Sequence, residues 1–405
     1  MQRTHTLHYF RATDRLSAMT RTQAPAAATP TAFLEGRATL DGTKRYRKRF
    51  ARAHSDHFYR ELAHGPLVSS VGLGTYLGEC DDQEDARYTS TIGAALEKGV
   101  NLLDTAINYR CQRSERAVGA ALREAVASGT VRREEVVVCT KGGYIPLEGA
   151  PPATKEGYRE FLDTEYFERG VMKPEDVIAG GHCLSPRYLE DQLERSLRNL
   201  GLQCVDVFYV HNPETQLAEI SASVFRERIR RAFTFLESAV AAGKIGAYGL
   251  ATWNAFREDP KSSDYLSLED MARIAAEAGG RDHHFRFVQL PLNLAMPEAL
   301  TLANQQVGGR TMAMVQAGRA LGITLVASAA LLQGQLTRNL PPSMRQALGM
   351  KTDAALALQF VRSVPGVTTA LAGMSQIGHV EANLTLVGVE PAARDEFLKL
   401  FELRT

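Results

Sequence analysis

From residue 68 onward, short runs of apolar residues alternate with longer amphipathic segments. Most of the runs are continuous, which is typical of strands that are buried on both faces of a parallel sheet. They predict strands at 68–76, 100–104, 136–141, 205–211, 244–251, 285–290, 323–328 and 367–371. The longer segments have one apolar side, which is typical of helices that cover such a sheet. They predict helices at 82–98, 114–127, 185–200, 225–242, 266–278, 311–321, 353–363, 376–387 and 392–403.

Eight strand–helix pairs within about 320 residues favour a closed (β/α)8 TIM barrel, an α/β fold. An open, doubly wound α/β sheet is the alternative, and it would favour a GxGxxG segment after the first strand. The segment Gly72-Leu-Gly-Thr-Tyr76 does not supply one. We therefore expect a single barrel domain over residues 46–405.

Two regions do not follow this alternation of strands and helices. Residues 1–45 are rich in Thr, Ala, Arg and Pro and poor in acids. This composition predicts a disordered extension, with a transit peptide or a start at Met19 as alternatives. Residues 142–184 form a long insertion after the third strand. Loops longer than about 15 residues are usually functional or disordered, and this one carries aromatic residues, so we interpret it as a lid or pocket wall.

The composition excludes several function classes. Hydrophobic residues make up 44% and charged residues 23% of the chain, as in ordinary soluble proteins. A net charge of +1 does not favour nucleic acid or a membrane surface as partner. The five cysteines form no CxxC pair, so we expect reduced thiols in a cytoplasmic protein and no metal site. A small molecule is the expected partner, and the oligomeric state stays open.

Titratable residues follow three neighbouring predicted strands. Asp104 and Tyr109 follow the second strand, Lys141 ends the third and His211 ends the fourth. In a barrel, the carboxyl ends of the strands meet at one mouth, where the chemistry is carried out. Taken singly, an aspartate there can equally be a helix cap and a tyrosine can be packing.

Together these residues suit the polarisation and protonation of a carbonyl group. A buried ammonium needs a partner, and Asp104 is the obvious one for Lys141. The positive charge would lower the pKa of the Tyr109 phenol and make it a better general acid near neutral pH. His211 can donate a hydrogen bond to a carbonyl oxygen on which negative charge builds.

Four segments resemble the aldo-keto reductases in identity, order and spacing. They are Gly72-Leu-Gly-Thr-Tyr76, Asp104-Thr-Ala-Ile-Asn-Tyr109, Thr140-Lys141 and the strand that leads to His211-Asn-Pro213. The resemblance covers about residues 66–390. It implies a (β/α)8 barrel that uses NADPH to reduce an aldehyde or ketone, or runs the reverse reaction. It also implies that Tyr109 is the acid, that Lys141 and Asp104 tune it, and that His211 orients the carbonyl.

The resemblance further implies a set of residues at strand ends that bind the cofactor. They are Gly74, Thr75, Thr252, Gln289, Ser328, Gly373, Ser375, Gln376, His379 and Asn383. Three positions depart from the family's pattern. Thr252 stands where the family usually has a Ser-Asn pair. Ser328 replaces an aromatic residue that stacks on the nicotinamide, and His379 replaces an arginine that binds the 2′-phosphate. Arginine supplies a fixed charge and a bidentate fork, and His379 does not. We therefore expect NADPH as the cofactor, with NADH as the alternative.

Three further features leave alternatives open. Arg110 and Arg113 follow Tyr109 and either favour an acidic substrate or are solvated. Trp253 either lines the pocket or packs the barrel top. Cys111 is expected to be an inert thiol rather than a reactive one. A second function also stays open because the nicotinamide contacts are altered: a cofactor-sensing or partner-binding subunit with little turnover.

Overall fold

The computed structural model describes residues 32–62, 65–393, 395–397 and 400. Within this part of the chain, eight parallel strands close into a barrel. They are β1 (Val71–Gly74), β2 (Leu102–Asp104), β3 (Val137–Gly142), β4 (Val205–His211), β5 (Ile245–Ala251), β6 (Phe285–Pro291), β7 (Thr324–Ser328) and β8 (Val367–Gly373). Since β1 pairs in parallel with both β2 and β8, the (β/α)8 prediction is confirmed and the open sheet is wrong.

Within the described residues, one main helix follows each barrel strand, as the pattern predicts, which gives eight helices. They are Asp82–Glu97, Arg113–Ala127, Pro186–Leu200, Ala222–Ala241, Leu268–Gly279, Met314–Ala320, Asp353–Ser363 and Ile377–Asn383. Two predicted elements are divided. The first predicted strand is split into Leu67–Ser69 and β1, and the start of the predicted 311–321 helix is a short strand, Arg310–Met312. Most of the predicted helix at 392–403 lies outside the described residues.

The end of the predicted extension packs on the barrel. Ala38 donates its backbone N–H to Asp206 Oδ1 at 2.6 Å. Helix Leu40–Arg49 begins after Thr39, whose hydroxyl accepts a hydrogen bond from Gly42. The structure thus differs from the prediction of disorder for residues 34–45, because this short helix supplies a cap and a buried face that average composition hides. Residues 1–31 lie outside the described part.

This helix and a hairpin cover the amino-terminal end of the barrel. The hairpin pairs Tyr59–Glu61 with Leu67–Ser69. The barrel interior is filled by side chains such as Leu102, Val137 and Phe287. The barrel is therefore a packed core rather than a pore, and its open end is the carboxyl end of the strands.

The insertion at 142–184 is folded. It contains the helix Lys155–Leu162 and buries apolar side chains, Tyr166 and Met172 among them, against Tyr188 of the following helix. It also contacts the loop that carries Tyr109, since Gly149 donates its N–H to the Cys111 carbonyl at 3.1 Å. These contacts make it a wall of the barrel mouth.

Candidate active site

A buried ion pair lies at the centre of the barrel mouth. Lys141 Nζ is 2.6 Å from Asp104 Oδ2 and donates to the Thr105 carbonyl at 2.8 Å. The Lys141 side chain is 0% exposed and that of Asp104 is 5% exposed. The other carboxylate oxygen of Asp104 accepts from Gln289 Nε2 at 2.7 Å. Both charges are thus paired and hydrogen-bonded, as a buried ion pair requires.

Strand register places this pair. Strands β2 and β3 are neighbours, and Asp104 lies opposite Cys139, so Lys141 stands one side-chain repeat nearer the mouth. The loop after β2 then turns back over Lys141, where Ile107 donates its N–H to the Lys141 carbonyl at 3.3 Å. This turn brings Tyr109 above the ion pair.

Tyr109 and His211 face each other beside the ammonium group. Lys141 Nζ lies 4.8 Å from the centre of the Tyr109 ring. The rings of Tyr109 and His211 are 5.8 Å apart and nearly perpendicular. Both side chains are half-buried, so they are open to the mouth. The structure therefore brings together all four residues that were predicted for catalysis.

The pKa of Tyr109 is raised, whereas the sequence predicts that Lys141 lowers it. Burial raises it to about 12, and the charge of Lys141 opposes this rise only in part. The expected lowering by Lys141 acts in the predicted direction, but loss of hydration outweighs it. Burial lowers the pKa of Lys141, yet Asp104 and Tyr109 raise it above its ordinary value, so the ammonium is retained.

His211 is a neutral imidazole. Burial, the Lys141 charge and His182 together hold its pKa well below the ordinary value. Within the described part of the chain, His211 Nδ1 has no hydrogen-bond partner. A neutral ring keeps one N–H, which can be donated to a substrate oxygen.

A second layer of polar residues supports His211, and the sequence did not reveal it. His182 Nε2 donates to the His211 carbonyl at 2.7 Å, and its Nδ1 accepts from Gln216 at 3.0 Å. Arg228 in turn donates to Gln216 Oε1 at 2.7 Å. His182 lies near the end of the insertion, 29 residues before His211. No local spacing signal joins two residues that meet only in space.

Tyr144 is another residue that sequence reasoning missed. Its ring lies 5.1 Å from that of His211. The phenol oxygen is 3.1 Å from Thr215 Oγ1 and accepts from Asn212 at 3.3 Å. Because Tyr144 comes from the insertion, this segment contributes directly to the wall around His211.

The residues predicted for the cofactor lie at the ends of β1, β5, β6, β7 and β8. Thr75 is buried and donates through both its N–H and its hydroxyl to the Asp104 carbonyl, so it also holds β1 to β2. Thr252 is buried, and within the described residues its Oγ1 has no partner. Gln289 is shared with Asp104 through its amide nitrogen. Ser328 is half-buried at the end of β7.

The remaining cofactor candidates surround the end of β8. Gly373 is exposed at the last position of the strand. Ser375 and Gln376 lead into the helix Ile377–Asn383, on which His379 is exposed and Asn383 is buried. His379 is thus accessible to a ligand, whereas Asn383 packs inward.

Neither alternative for the two arginines is what the structure shows. Arg110 is buried and pairs with Asp85 Oδ1 at 2.6 Å. Arg113 pairs with Asp85 Oδ2 at 2.7 Å and also with Asp82. Both arginines bind the start of the helix Asp82–Glu97. Their charges are therefore used within the protein and are not directed at a substrate.

A buried carboxyl group joins the loops after β4 and β5. Glu214 Oε1 accepts from the backbone N–H of Trp253 at 2.7 Å and from that of Asn254 at 3.2 Å. Burial raises the pKa of Glu214 to about 7, although these hydrogen bonds oppose the rise. Sequence reasoning missed this residue. It fixes the segment that contains Thr252 and the half-buried Trp253.

Two kinds of feature are absent from the described residues. No helix there is long and apolar enough to cross a membrane. No group of three or more His, Cys, Asp or Glu residues there is placed to hold a metal ion.

The fold and the strand-end residues define a class of barrel with a tyrosine, a lysine, an aspartate and a histidine at its mouth. The model of the "Aldo/keto reductase family" matches residues 70–347. The chain belongs to the aldo/keto reductase family, as its motifs predict.

Individual relatives differ in what they are described to do. A "Putative voltage-gated potassium channel subunit beta" from Schizosaccharomyces pombe is 26% identical over 83% of this chain and 89% of its own length. An "NADH-specific methylglyoxal reductase" from Escherichia coli is 27% identical over 56% of this chain and 60% of its own length.

Solved structures support the barrel. An aldo/keto reductase from Klebsiella pneumoniae in complex with NADP and acetate has a TM-score of 0.58 at 18% identity. The match covers 85% of this chain and 95% of that one. At this identity the likeness bears on the fold alone.

Proposed function

We propose that this protein is an NAD(P)H-dependent carbonyl reductase that converts an aldehyde or ketone to the alcohol, or runs the reverse reaction. The observation that carries the proposal is the position of Tyr109 between the buried Lys141 ammonium and the neutral ring of His211. A proton donor, a fixed positive charge and a neutral hydrogen-bond donor then surround one point at the mouth. A site that only binds a ligand has no physical need for this set.

The residues have separate roles in this proposal. His211 donates a hydrogen bond to the substrate oxygen and strengthens it as negative charge develops. Tyr109 then delivers its proton to that oxygen. Lys141, held by Asp104, stabilises the phenolate that remains. The nicotinamide cofactor supplies the hydride when it is bound.

The raised pKa of Tyr109 suits this direction of proton transfer. A phenol with a pKa of about 12 stays protonated at neutral pH, so Tyr109 has a proton to donate. An alkoxide is a much stronger base than a phenolate, and transfer of the proton to it is favourable. The reverse reaction needs the phenolate first, so the high pKa favours reduction.

The residues present fit a nicotinamide cofactor. The buried Thr252 hydroxyl, which lacks a partner within the described residues, can bind the carboxamide, and Ser328 is half-buried at the end of β7. Gly373, Ser375, Gln376 and His379 offer small or polar groups for the adenosine end. NADPH remains our expectation for this site, with NADH as the alternative, since one relative is described as NADH-specific.

The substitution Tyr109→Phe tests the proposal. It removes the proton donor and keeps the ring, so we expect turnover of a broad aldehyde and ketone panel to fall by about 10²–10⁴-fold. Cofactor affinity, measured by fluorescence titration, should change little. The matched control is Tyr76→Phe, because the Tyr76 ring lies 5.0 Å from Tyr109 but is 55% exposed. Unchanged turnover in Tyr109→Phe would rule out its assigned role.

A second candidate is a cofactor-sensing or partner-binding subunit with little turnover. The relative described as a potassium channel subunit favours it, since that alignment covers most of both chains. Single-turnover oxidation of bound cofactor separates the two functions. Tight binding of NADPH or NADH with no oxidation by any carbonyl would favour the subunit.

We also place the protein in the cytoplasm and treat residues 46–405 as one domain. Five free cysteines among the described residues suit a reducing compartment.

A further inference from the structure

Two cysteines meet beside the candidate active site. The sulfur atoms of Cys80 and Cys111 are 3.6 Å apart. Cys80 lies in the loop after β1, and Cys111 lies in the loop after β2, two residues beyond Tyr109. Neither thiol has a role in the proposed mechanism.

The two thiols have unequal surroundings. Cys80 is partly exposed, whereas Cys111 is fully buried behind it. The hydrogen bond with Cys111 lowers the pKa of Cys80 to about 7, and the charges of Arg110 and Arg113 act in the same direction. The same hydrogen bond and burial raise the pKa of Cys111. Reactive cysteines sit in such electropositive, partly exposed places.

The Arg110 side chain also holds the two loops together. Arg110 donates to the carbonyls of Glu79 at 2.7 Å and Asp81 at 3.3 Å, which flank Cys80 on both sides. In the other loop, Arg110, Cys111 and Gln112 have positive φ angles of 48°, 53° and 71°. Three successive non-glycine residues in the left-handed region are strained, and strain of this kind clusters at functional and switch sites.

We propose that Cys80 and Cys111 are a modification site that reacts with hydroperoxides and closes to a disulfide. The Cys80 thiolate attacks one oxygen of the peroxide, the O–O bond breaks, and the leaving oxygen takes a proton to become water or an alcohol. Cys80 is then a sulfenic acid. Cys111 sulfur displaces the hydroxyl group from it, and this hydroxyl leaves with the Cys111 proton as water. Two thiols lose two electrons in total, and the peroxide gains them.

Closure of the disulfide draws the Cys80 loop and the loop that carries Tyr109 together. A disulfide needs an S–S distance of about 2.05 Å, well below the 3.6 Å between the thiols. A misplacement of about 1 Å at an active site can lower the rate by roughly 10²-fold. This effect on turnover rests on the proposed function, whereas formation of the disulfide does not.

Intact-mass spectrometry and peptide mapping test the modification directly. After treatment of the reduced full-length protein with stoichiometric hydrogen peroxide, we expect the loss of two hydrogen atoms. Mapping should show one disulfide, between the peptides that contain residues 80 and 111. In Cys111→Ser, Cys80 should instead stop at a sulfenic acid that dimedone traps. In Cys80→Ser, the buried Cys111 should stay reduced.

Cys183→Ser is the matched control. Cys183 is buried, and burial raises its pKa to about 11, so its replacement should leave disulfide formation unchanged. A protein that keeps all its thiols under peroxide, or pairs other cysteines, would overturn the proposal. So would equal reaction of Cys80→Ser.

Activity supplies a separate readout. Peroxide should lower the turnover of the wild-type protein by roughly 10-fold or more, and dithiothreitol should restore it. The turnover of Cys80→Ser should not change on peroxide treatment. Disulfide formation in a protein without any carbonyl turnover would contradict the proposed function and leave the thiol pair supported. Carbonyl turnover without disulfide formation would support the proposed function and contradict the thiol-pair proposal.

Discussion

Lys141 shows how one residue can depend on its partners for both stability and chemistry. An unpaired ammonium in this position would lose its hydration without compensation. Asp104 offsets that loss, and Gln289 and the Thr105 carbonyl complete the hydrogen bonds of the pair. The same contacts keep the ammonium charged next to Tyr109. Packing and the proposed catalysis therefore rest on one cluster.

This dependence predicts a strong coupling between Lys141 and Asp104. Lys141→Met and Asp104→Asn should each destabilise the protein by about 3–5 kcal/mol, because each leaves a buried group without its partner. The double variant should lose less than the sum, by about 1–3 kcal/mol. Urea unfolding of the four proteins measures this.

The control is Lys244→Met. Lys244 is paired with Glu194, but its side chain is 38% exposed. Its loss should change stability by less than about 1 kcal/mol. Additive losses for Lys141 and Asp104 would contradict the coupling.

At the scale of elements, the loops carry the differences between this chain and the pattern its motifs predict. The strands position Asp104, Lys141 and His211, whereas the loop after β2 positions Tyr109, and further strand-end loops and the insertion complete the mouth. Glu214 is the clearest link between two of these loops, because a single carboxylate oxygen binds two N–H groups of the loop after β5.

Glu214 predicts a pH-dependent stability. Its pKa rises from the ordinary 4.5 in the unfolded chain to about 7 in the folded protein. The folded state then binds more protons between these values, so stability falls as pH rises from about 4.5 to about 7. Each pH unit is worth about 1.36 kcal/mol, and the full effect is roughly 3 kcal/mol. Glu214→Gln removes this titration.

Unfolding at pH 5 and pH 8 measures the effect. From pH 5 to pH 8, the wild-type protein should lose more unfolding free energy than Glu214→Gln does. The exposed Glu219, on the same segment, provides the control variant Glu219→Gln, which should show no such change. An equal pH dependence in wild type and Glu214→Gln would contradict the interpretation.

The pattern of apolar residues predicted most element boundaries within a few residues. The predicted strand at 205–211 and helix at 353–363 match the structure. The exceptions are places where tertiary contacts divide a continuous pattern. Ser69 ends a hairpin strand and Val71 begins β1, although both lie in one apolar run. Periodicity alone cannot show that the chain changes sheets there.

For the whole molecule, cofactor binding should appear as added stability. A ligand at about 100 times its dissociation constant stabilises the folded state by roughly 2.7 kcal/mol. Thermal unfolding with NADPH and with NADH then compares the two cofactors without a substrate. Because His379 lacks the fixed charge and bidentate fork of arginine, we expect the two to differ by less than about tenfold in affinity.

The variant His379→Arg sharpens this comparison. The residue is exposed on the helix Ile377–Asn383, so arginine can be placed there without repacking the core. A new charge-assisted pair with the 2′-phosphate should strengthen NADPH binding by about 1.5–3 kcal/mol and leave NADH unchanged. Equal gains for both cofactors would show that position 379 does not read the 2′-phosphate.

The sequence by itself determined the barrel and its four candidate catalytic residues. A parallel barrel brings the carboxyl ends of all its strands to one mouth, so linear positions such as Asp104, Lys141 and His211 translate directly into proximity. The tertiary structure alone decided which loops meet and which groups lose water. The pairing of Arg110 with Asp85, the thiol contact of Cys80 with Cys111 and the raised pKa of Tyr109 all arise from these two effects. Neither effect leaves a periodic signal in the chain.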